Sequence, residues 1–544
     1  MLPGNKLNCL LVALLVLFTA GYATAQVLQE KNLDRPYEVR YNVAQDLQAF
    51  IGIPVSELHL FAYRASQGKW EPIPFQIDER DGDTTPNYYI EHNGLLDIED
   101  ELVYMIRDLG DKVTESVWPD NETSKSHVRY EIKAYDSTAV GTEKAGWAYM
   151  FRSTSISEKS AVSYMSYDAA TKTVKSLFYE AGYTNEGVLN NFQVTPSGGG
   201  NGVEILDRQK YYFQGIFPPN LEYFVTEEKF VQNGESVVVG PVRILRRSLI
   251  DMYIFPDSDP AFKNLPLQAK FTPFYLQYSS GGIGFVEQYG VDLIRQSWDF
   301  NADAQGMKFH NMNNQDILVD GVGDVINDSL DHNQLNWMML TGAQGTILAI
   351  NDLSFQINNP PPSRRVYFYD NRAINPNDTG DKRSYGEMGI QVTGYRIADT
   401  LTYKSQIYFL PANQPHEKGN TVLTDFSNPV AEIWRAQTYT TGVSPVKTSI
   451  KPDQFRLHQN FPNPFNPETT IGFEIPEAAR VKISILNILG QEMKTLVDQN
   501  FSAGKYQAVW YGDDESGRKV VSGVYFYQLE SSAFRELRKM ILLD

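Results

Sequence analysis

Cysteine is almost absent from this chain. Its one thiol, Cys9, lies near the start, so once that segment is lost, disulfides, thiolate zinc sites and a cysteine nucleophile are excluded. Histidine is scarce too: seven residues, His59, His92, His127, His310, His332, His416 and His458, are scattered with no H-E-x-x-H and no pair at helical spacing. Zinc hydrolysis therefore lacks its ligand pattern. No G-x-S-x-G elbow, G-x-G-x-x-G turn or phosphate loop occurs, which leaves α/β-hydrolase and nucleotide-binding chemistry without their signatures. Positive charge is in deficit, 48 Lys and Arg against 66 Asp and Glu, and the formal charge of −18 disfavours nucleic acid or an anionic membrane as partner.

Long apolar runs are missing as well, apart from Leu10–Ala20, which falls short of the ~20 residues a spanning helix needs. With Lys6 before it and Ala23-Thr24-Ala25 after it, this run has the layout of a cleaved signal peptide over residues 1–25, leaving no membrane span in the mature chain. Helical periodicity is rare. What fills the chain instead is short runs of aromatic and β-branched residues, such as Tyr37–Tyr41, Leu58–Tyr63, Tyr130–Tyr135, Phe271–Tyr278, Thr346–Ile350, Arg365–Tyr369 and Gln406–Phe409, mostly bounded by Gly, Pro, Asn or Asp. Such spacing predicts an all-β protein of antiparallel β-sandwich domains. The expected division is an N-terminal β-domain at 26–145, ending near Thr142–Gly146, a central β-sandwich at 146–437, a linker at 438–455 and a C-terminal domain at 456–544. Gly198–Gly202 reads as a flexible loop and Pro360–Pro362 as a stiff connector.

The C-terminal segment carries the densest pattern. Asn460–Pro467 reads N-F-P-N-P-F-N-P, whose prolines forbid helix. Alternating runs follow at Thr469–Ile475, Val481–Leu486, Tyr506–Trp510 and Gly523–Leu529, with turns at Leu489–Glu492 and Asp513–Gly517, before Arg538-Lys539-Met540-Ile541-Leu542. The ordered series N-F-P-N-P-F-N-P, I-L-N-I-L-G, W-Y-G-D-D-E-S-G and S-G-V-Y-F-Y resembles the C-terminal sorting domain (Por secretion tail) of type IX secretion cargo, a small immunoglobulin-like sandwich similar to flagellar hook-capping proteins. That resemblance implies recognition by an outer-membrane translocon, removal of the tail, and delivery to the outside or outer surface of a Gram-negative bacterium. The residues that carry it are Asn460, Pro462, Asn463, Pro464, Gly490, Gly523, Arg538 and Lys539.

One other cluster invites chemistry. Trp70–Glu79 runs into Arg80-Asp81-Gly82-Asp83, and Leu96–Met105 follows after a loop. Asp78, Asp81, Asp83, Asp97, Glu99 and Asp100 converge if the two segments pair, and hard oxygen ligands of this kind suit Ca2+, although the spacing is not that of an EF-hand. Solvated turn carboxylates are the competing reading. The W-x-P-I-P-F-Q-I-D-E-R-D stretch also resembles the opening β-domain of some secreted bacterial proteins associated with polysaccharide breakdown, which implies a carbohydrate context and no catalytic residue.

In the central region the Gly/Asp/Asn loops at 320–332 and 377–387 read first as turn chemistry. As a glycan-binding rim they would need Trp298, Trp337 or Tyr369 to stack on sugar faces, and Trp337 beside Met338 and Met339 reads as core. A lyase base such as His310 or Tyr289 near Arg295 or Lys308 would be a grouping by sequence proximity alone. The expected function is a secreted or surface β-sandwich protein binding matrix or carbohydrate without catalysis. A polysaccharide lyase or glycosidase, or a structural adhesion component, are the alternatives.

Overall fold

A computed structural model describes residues 27–80, 93–217, 219–255, 258–283, 290–330, 334–357, 363–394, 398–439, 443–446, 452–466, 468–514, 519–532 and 534–543. The signal peptide expected at 1–25, Asp81, Asp83, Tyr289 and Pro360–Pro362 lie outside them. Strands carry the architecture, all pairing antiparallel, as expected from the sequence. Among the described residues the α-helices are Glu122–Lys125 and Glu417–Ser427.

The N-terminal part is built on two sheets. Strands Val39–Val43, Glu101–Met105 and Phe75–Asp78 form one; Lys69–Pro72, Leu58–Arg64, Ala145–Arg152, Val128–Tyr135 and Ala431–Thr438 form the other. Between them lies a core of Leu60, Leu102, Tyr104, Ile132 and Met150. The expected boundary at Thr142–Gly146 coincides with the hairpin that joins two neighbouring strands of this second sheet. Its last strand, Ala431–Thr438, comes from the far end of the segment expected as the central domain and pairs along its whole length with Val128–Tyr135. Chain from 153 to 430 is thus inserted between two strands, Ala145–Arg152 and Ala431–Thr438, that flank Val128–Tyr135 in one sheet.

The central part stacks a nine-stranded sheet, a five-stranded sheet and a four-stranded meander around one large core. The five-stranded sheet runs in the order Leu221–Thr226, Leu206–Phe217, Val291–Phe300, Ser384–Thr393, Ser363–Asn371. Strand alternation ties this part to the first: Val103 and Met105 point into the large core while Leu102 and Tyr104 point into the N-terminal one. The three-stranded sheet is therefore a layer shared by two cores.

Gly198–Gly202 is packed where the sequence suggested flexibility. A Cβ on Gly198 would sit 2.2 Å from the Phe178 carbonyl oxygen and one on Gly200 2.4 Å from that of Val194, while Gly199 takes φ +83°. Here glycine serves close backbone approach.

The C-terminal part is a sandwich of two four-stranded sheets, Val443–Val446, Gly504–Trp510, Thr469–Ile475 and Arg456–Leu457 against Glu492–Phe501, Ala479–Leu486, Gly523–Ser531 and Phe534–Leu542. Ile471, Phe473, Ile483, Ile485, Trp510 and Tyr527 fill its core.

Candidate functional site

In the C-terminal sandwich the Pro/Asn segment staples the last strand in place. The backbone N–H of Asn460 donates to the Tyr527 hydroxyl at 2.8 Å, and that hydroxyl donates to the His458 carbonyl at 2.7 Å. The Asn460 side chain, buried, bonds Thr469 Oγ1 at 2.9 Å. Asn463 Oδ1 accepts from the Ile541 N–H at 3.0 Å, and Phe465 forms a parallel bridge with Leu542. Pro462, Asn463 and Pro464 face solvent, and the Phe461–Pro462 and Asn463–Pro464 peptides are cis. Gly490, at φ +73°, makes the turn between Ala479–Leu486 and Glu492–Phe501. Gly523 opens a strand opposite Leu542, Lys539 is exposed, and Arg538 pairs with Glu536 at 2.7 Å. The eight residues share one small domain rather than one patch; Asn460 ties the segment to Tyr527 and Thr469, and Asn463 ties it to Ile541 of the terminal strand.

The acidic residues expected to hold calcium divide. Asp78 is buried and committed to Arg243, which also bonds Glu101 Oε2 at 2.5 Å. Asp100, also buried, accepts the N–H groups of Arg80 at 2.9 Å and Asp97 at 2.8 Å, and burial raises its pKa. Asp97 accepts from Asn93 at 2.7 Å, and Glu99 is half-buried.

Among the described residues, two other acidic groups bring their oxygens within 4.8 Å: Asp207, Asp299 and Asp381; and Asp299, Asp378 and Glu387. Lys210 stands among them, 2.7 Å from Asp299 and 2.8 Å from Asp378. Burial works against its charge, yet Asp299, Glu387 and Asp378 outweigh that and raise its pKa. One ammonium cannot balance three carboxylates, so burial and then the neighbouring Glu387 push Asp299 up. Ser297 Oγ donates to Glu387 at 2.5 Å. The loop that brings Asp378 and Asp381 is the Asn/Gly/Asp turn noted in the sequence. Its Asx bonds are present, with Asn375 and Asp381 accepting N–H groups two residues on.

Sequence reasoning missed a cavity between two parts of the fold. It is a cleft of about 390 Å³ between the N-terminal and central parts. Tyr275 and Gln277 lie opposite Tyr408 and Gln406 on neighbouring strands, so all four present one face. Tyr37 and Tyr41 come from the N-terminal part, and Val422 and Phe426 from the helix Glu417–Ser427. Its charged walls are internally paired: Arg35 with Asp425 at 2.6 Å and Asp136 at 3.2 Å, Arg40 with Glu38 at 3.7 Å and Glu432 at 3.4 Å. Gln406 donates to the Tyr408 hydroxyl at 2.5 Å. Among the described residues the hydroxyls of Tyr37, Tyr41 and Tyr275 and the Gln277 amide have no protein partner. Burial raises the pKa of Tyr37 and Tyr275, so both hydroxyls carry their protons at neutral pH. The missed signal is four tyrosines spread over some 370 positions; only the fold brings them together.

The other residues singled out are elsewhere. Trp298 and Trp337 are core, and Trp70 packs edge-on against Tyr149 and Phe151. His310 and Lys308 stand on the nine-stranded sheet and Arg295 on the five-stranded one.

No curated protein matches the chain. Among solved structures, an α-mannosidase from Enterococcus faecalis V583 aligns at 8% identity and TM-score 0.34 over 89% of this chain and 55% of its own. The chain thus spans about half the length of that enzyme. Dimeric latent PorU from Porphyromonas gingivalis aligns at 11% identity and TM-score 0.15, over 68% of this chain and 32% of its own. PorZ from Porphyromonas gingivalis, a surface component of the type IX secretion system, aligns at 9% identity and TM-score 0.13, over 76% and 64%. Scores this low carry no functional argument. The family comparison is specific: residues 459–543 match the secretion system C-terminal sorting domain. The chain therefore ends in a type IX sorting domain, the address of a protein delivered to the cell surface or the extracellular space.

Proposed function

We propose that the exported body binds a neutral extracellular carbohydrate in the cleft between its N-terminal and central parts. The observation that carries this reading is the chemistry of the wall: four tyrosines, with three hydroxyls and an amide that have no protein partner among the described residues, and the charges of Arg35, Glu38, Arg40 and Asp425 paired in place. Aromatic rings cover the apolar face of a sugar, and uncharged donors and acceptors match its hydroxyls. Both cleft carboxylates, Glu38 and Asp425, are held by arginines, which favours binding over glycoside hydrolysis, where two carboxyls must face the scissile bond. In this reading the terminal immunoglobulin-like sandwich is a detachable address handled by the translocon, with no part in ligand binding.

A neutral-glycan panel tested by calorimetry against the full chain checks it. Tyr275→Phe and Gln277→Ala each remove one hydrogen-bonding group and should weaken the bound glycan about three- to tenfold. Absence of any neutral ligand at millimolar concentration would overturn the proposal. Calcium at Asp78, Asp81, Asp83, Asp97, Glu99 and Asp100 is a separate expectation. If it holds, millimolar Ca2+ added to chelated protein raises the melting temperature; an unchanged melt discards the site.

A further inference from the structure

The outer face of the five-stranded sheet carries a second constellation, on a different sheet from the cleft residues Tyr275, Gln277, Gln406 and Tyr408. Along Leu206–Phe217, Tyr211 and Phe213 point into the core, so Tyr212 points out, and it lies opposite Arg295 on the next strand. Arg295 is in turn opposite Gln391. One step along, Gly389 stands opposite Tyr367 and offers no side chain to separate that ring from Arg295. The guanidinium carbon of Arg295 is 4.1 Å from the Tyr367 ring centroid and 4.9 Å from that of Tyr212. Phe224, 44% exposed, extends the aromatic row 5.9 Å beyond Tyr212.

Three other arginines stacked on rings are committed to partners, whereas Arg107, over Phe178 and Phe274, is not among the described residues. Arg129 donates to Gln437 and to two carbonyls, Arg243 to Asp78 and Glu101, and Arg246 to Glu235. Arg295 has no carboxylate within 4.0 Å among the described residues, and its Nε is buried without a hydrogen-bond partner. A guanidinium whose faces are taken by tyrosines keeps its in-plane N–H edge for a ligand, and that fork matches a carboxylate or another oxyanion bidentately. The half-buried Gln391 amide lies next to it in register.

We infer that this face binds an anionic glycan, with Arg295 holding the acidic group of one sugar and Tyr212, Phe224 and Tyr367 supporting the rings on either side. The chain's overall negative charge opposes a polyanion at long range. At physiological ionic strength such repulsion is screened over about 8 Å, so the contact at Arg295 decides binding.

The experiment measures binding of the full chain at 0.15 M salt to polygalacturonate, to dextran sulfate and to neutral dextran. Binding to at least one acidic polymer and not to dextran is expected; the polymer preferred tells carboxylate from sulfate. Arg295→Gln should reduce it at least tenfold, Arg295→Lys should restore part of it, and Tyr212→Ala should weaken it in a protein whose melting temperature is checked. The cleft variant Tyr41→Ala should leave it unchanged, which separates this site from the neutral-sugar reading. Equal binding by wild type and Arg295→Gln, equal binding to dextran, or no binding to either polyanion would overturn the assignment.

Discussion

At the scale of single residues, buried charge is the main currency of this protein. Arg243, 1% exposed, is neutralised by Asp78 and Glu101 across the joint between the N-terminal and central parts. Glu101 remains when Asp78 is removed, but a buried ion pair is broken and Arg243 Nε and the Gln76 amide lose an acceptor, so Asp78→Ala should destabilise the protein by about 3 kcal/mol in denaturant titration. Glu204 gives a pH signature. Burial raises its pKa to about 7, against an ordinary 4.5. A carboxyl raised on folding binds its proton more tightly in the native state, so its contribution is full below about 4.5 and is lost as pH climbs through about 7. The Glu204→Gln variant should flatten stability across that window relative to wild type, as measured by melts at successive pH values. Neither group was legible in the sequence. The pairing of Asp78 with Arg243 spans 165 positions, and Glu204 sits in a plain Gly/Asn-rich stretch.

Strands and turns were far easier to read. Short aromatic and β-branched runs bounded by Gly, Pro, Asn or Asp specify half-buried strands by their own period, and Leu58–Tyr63, Thr346–Ile350 and Arg365–Tyr369 all fall within strands. The helix Glu417–Ser427 escaped because it contains Gly419, Asn420 and two threonines, poor helix formers. Packing holds it: Trp337 lies where a Gly419 Cβ would be, and Trp337 Nε1 donates to Asn420 at 3.0 Å. Gly419→Ala should therefore destabilise the protein despite alanine's higher helix propensity, a sign that thermal melts can read directly. Most pairing partners were illegible, because antiparallel registers join strands of any separation; Phe75–Asp78 and Glu101–Met105, weighed as a pair from the sequence, are neighbours. That is why the cleft, and the Tyr212–Arg295–Tyr367 row, emerged only from the fold.

For the whole molecule, the address and the body are separable in sequence and in packing, since the terminal sandwich has its own core. A chain ending at Thr440 keeps the strand Ala431–Thr438 and should fold, yet accumulate inside the envelope; normal amounts outside the cell would contradict the address. Ending the chain before Ala431 is a different experiment. It exposes the edge of Val128–Tyr135 and strips Arg129, fully buried, of Gln437. This shorter chain should lose cooperative melting of the N-terminal part.

That late strand has a further consequence for the order of events in export. Arg129 and Gln437 are 308 positions apart, so a chain emerging from its N-terminus cannot complete the second sheet of its N-terminal part until nearly the entire body has emerged. Long-range closure of this kind is slow. Until the return strand arrives, the edge of Val128–Tyr135 stays open and liable to pair with other chains.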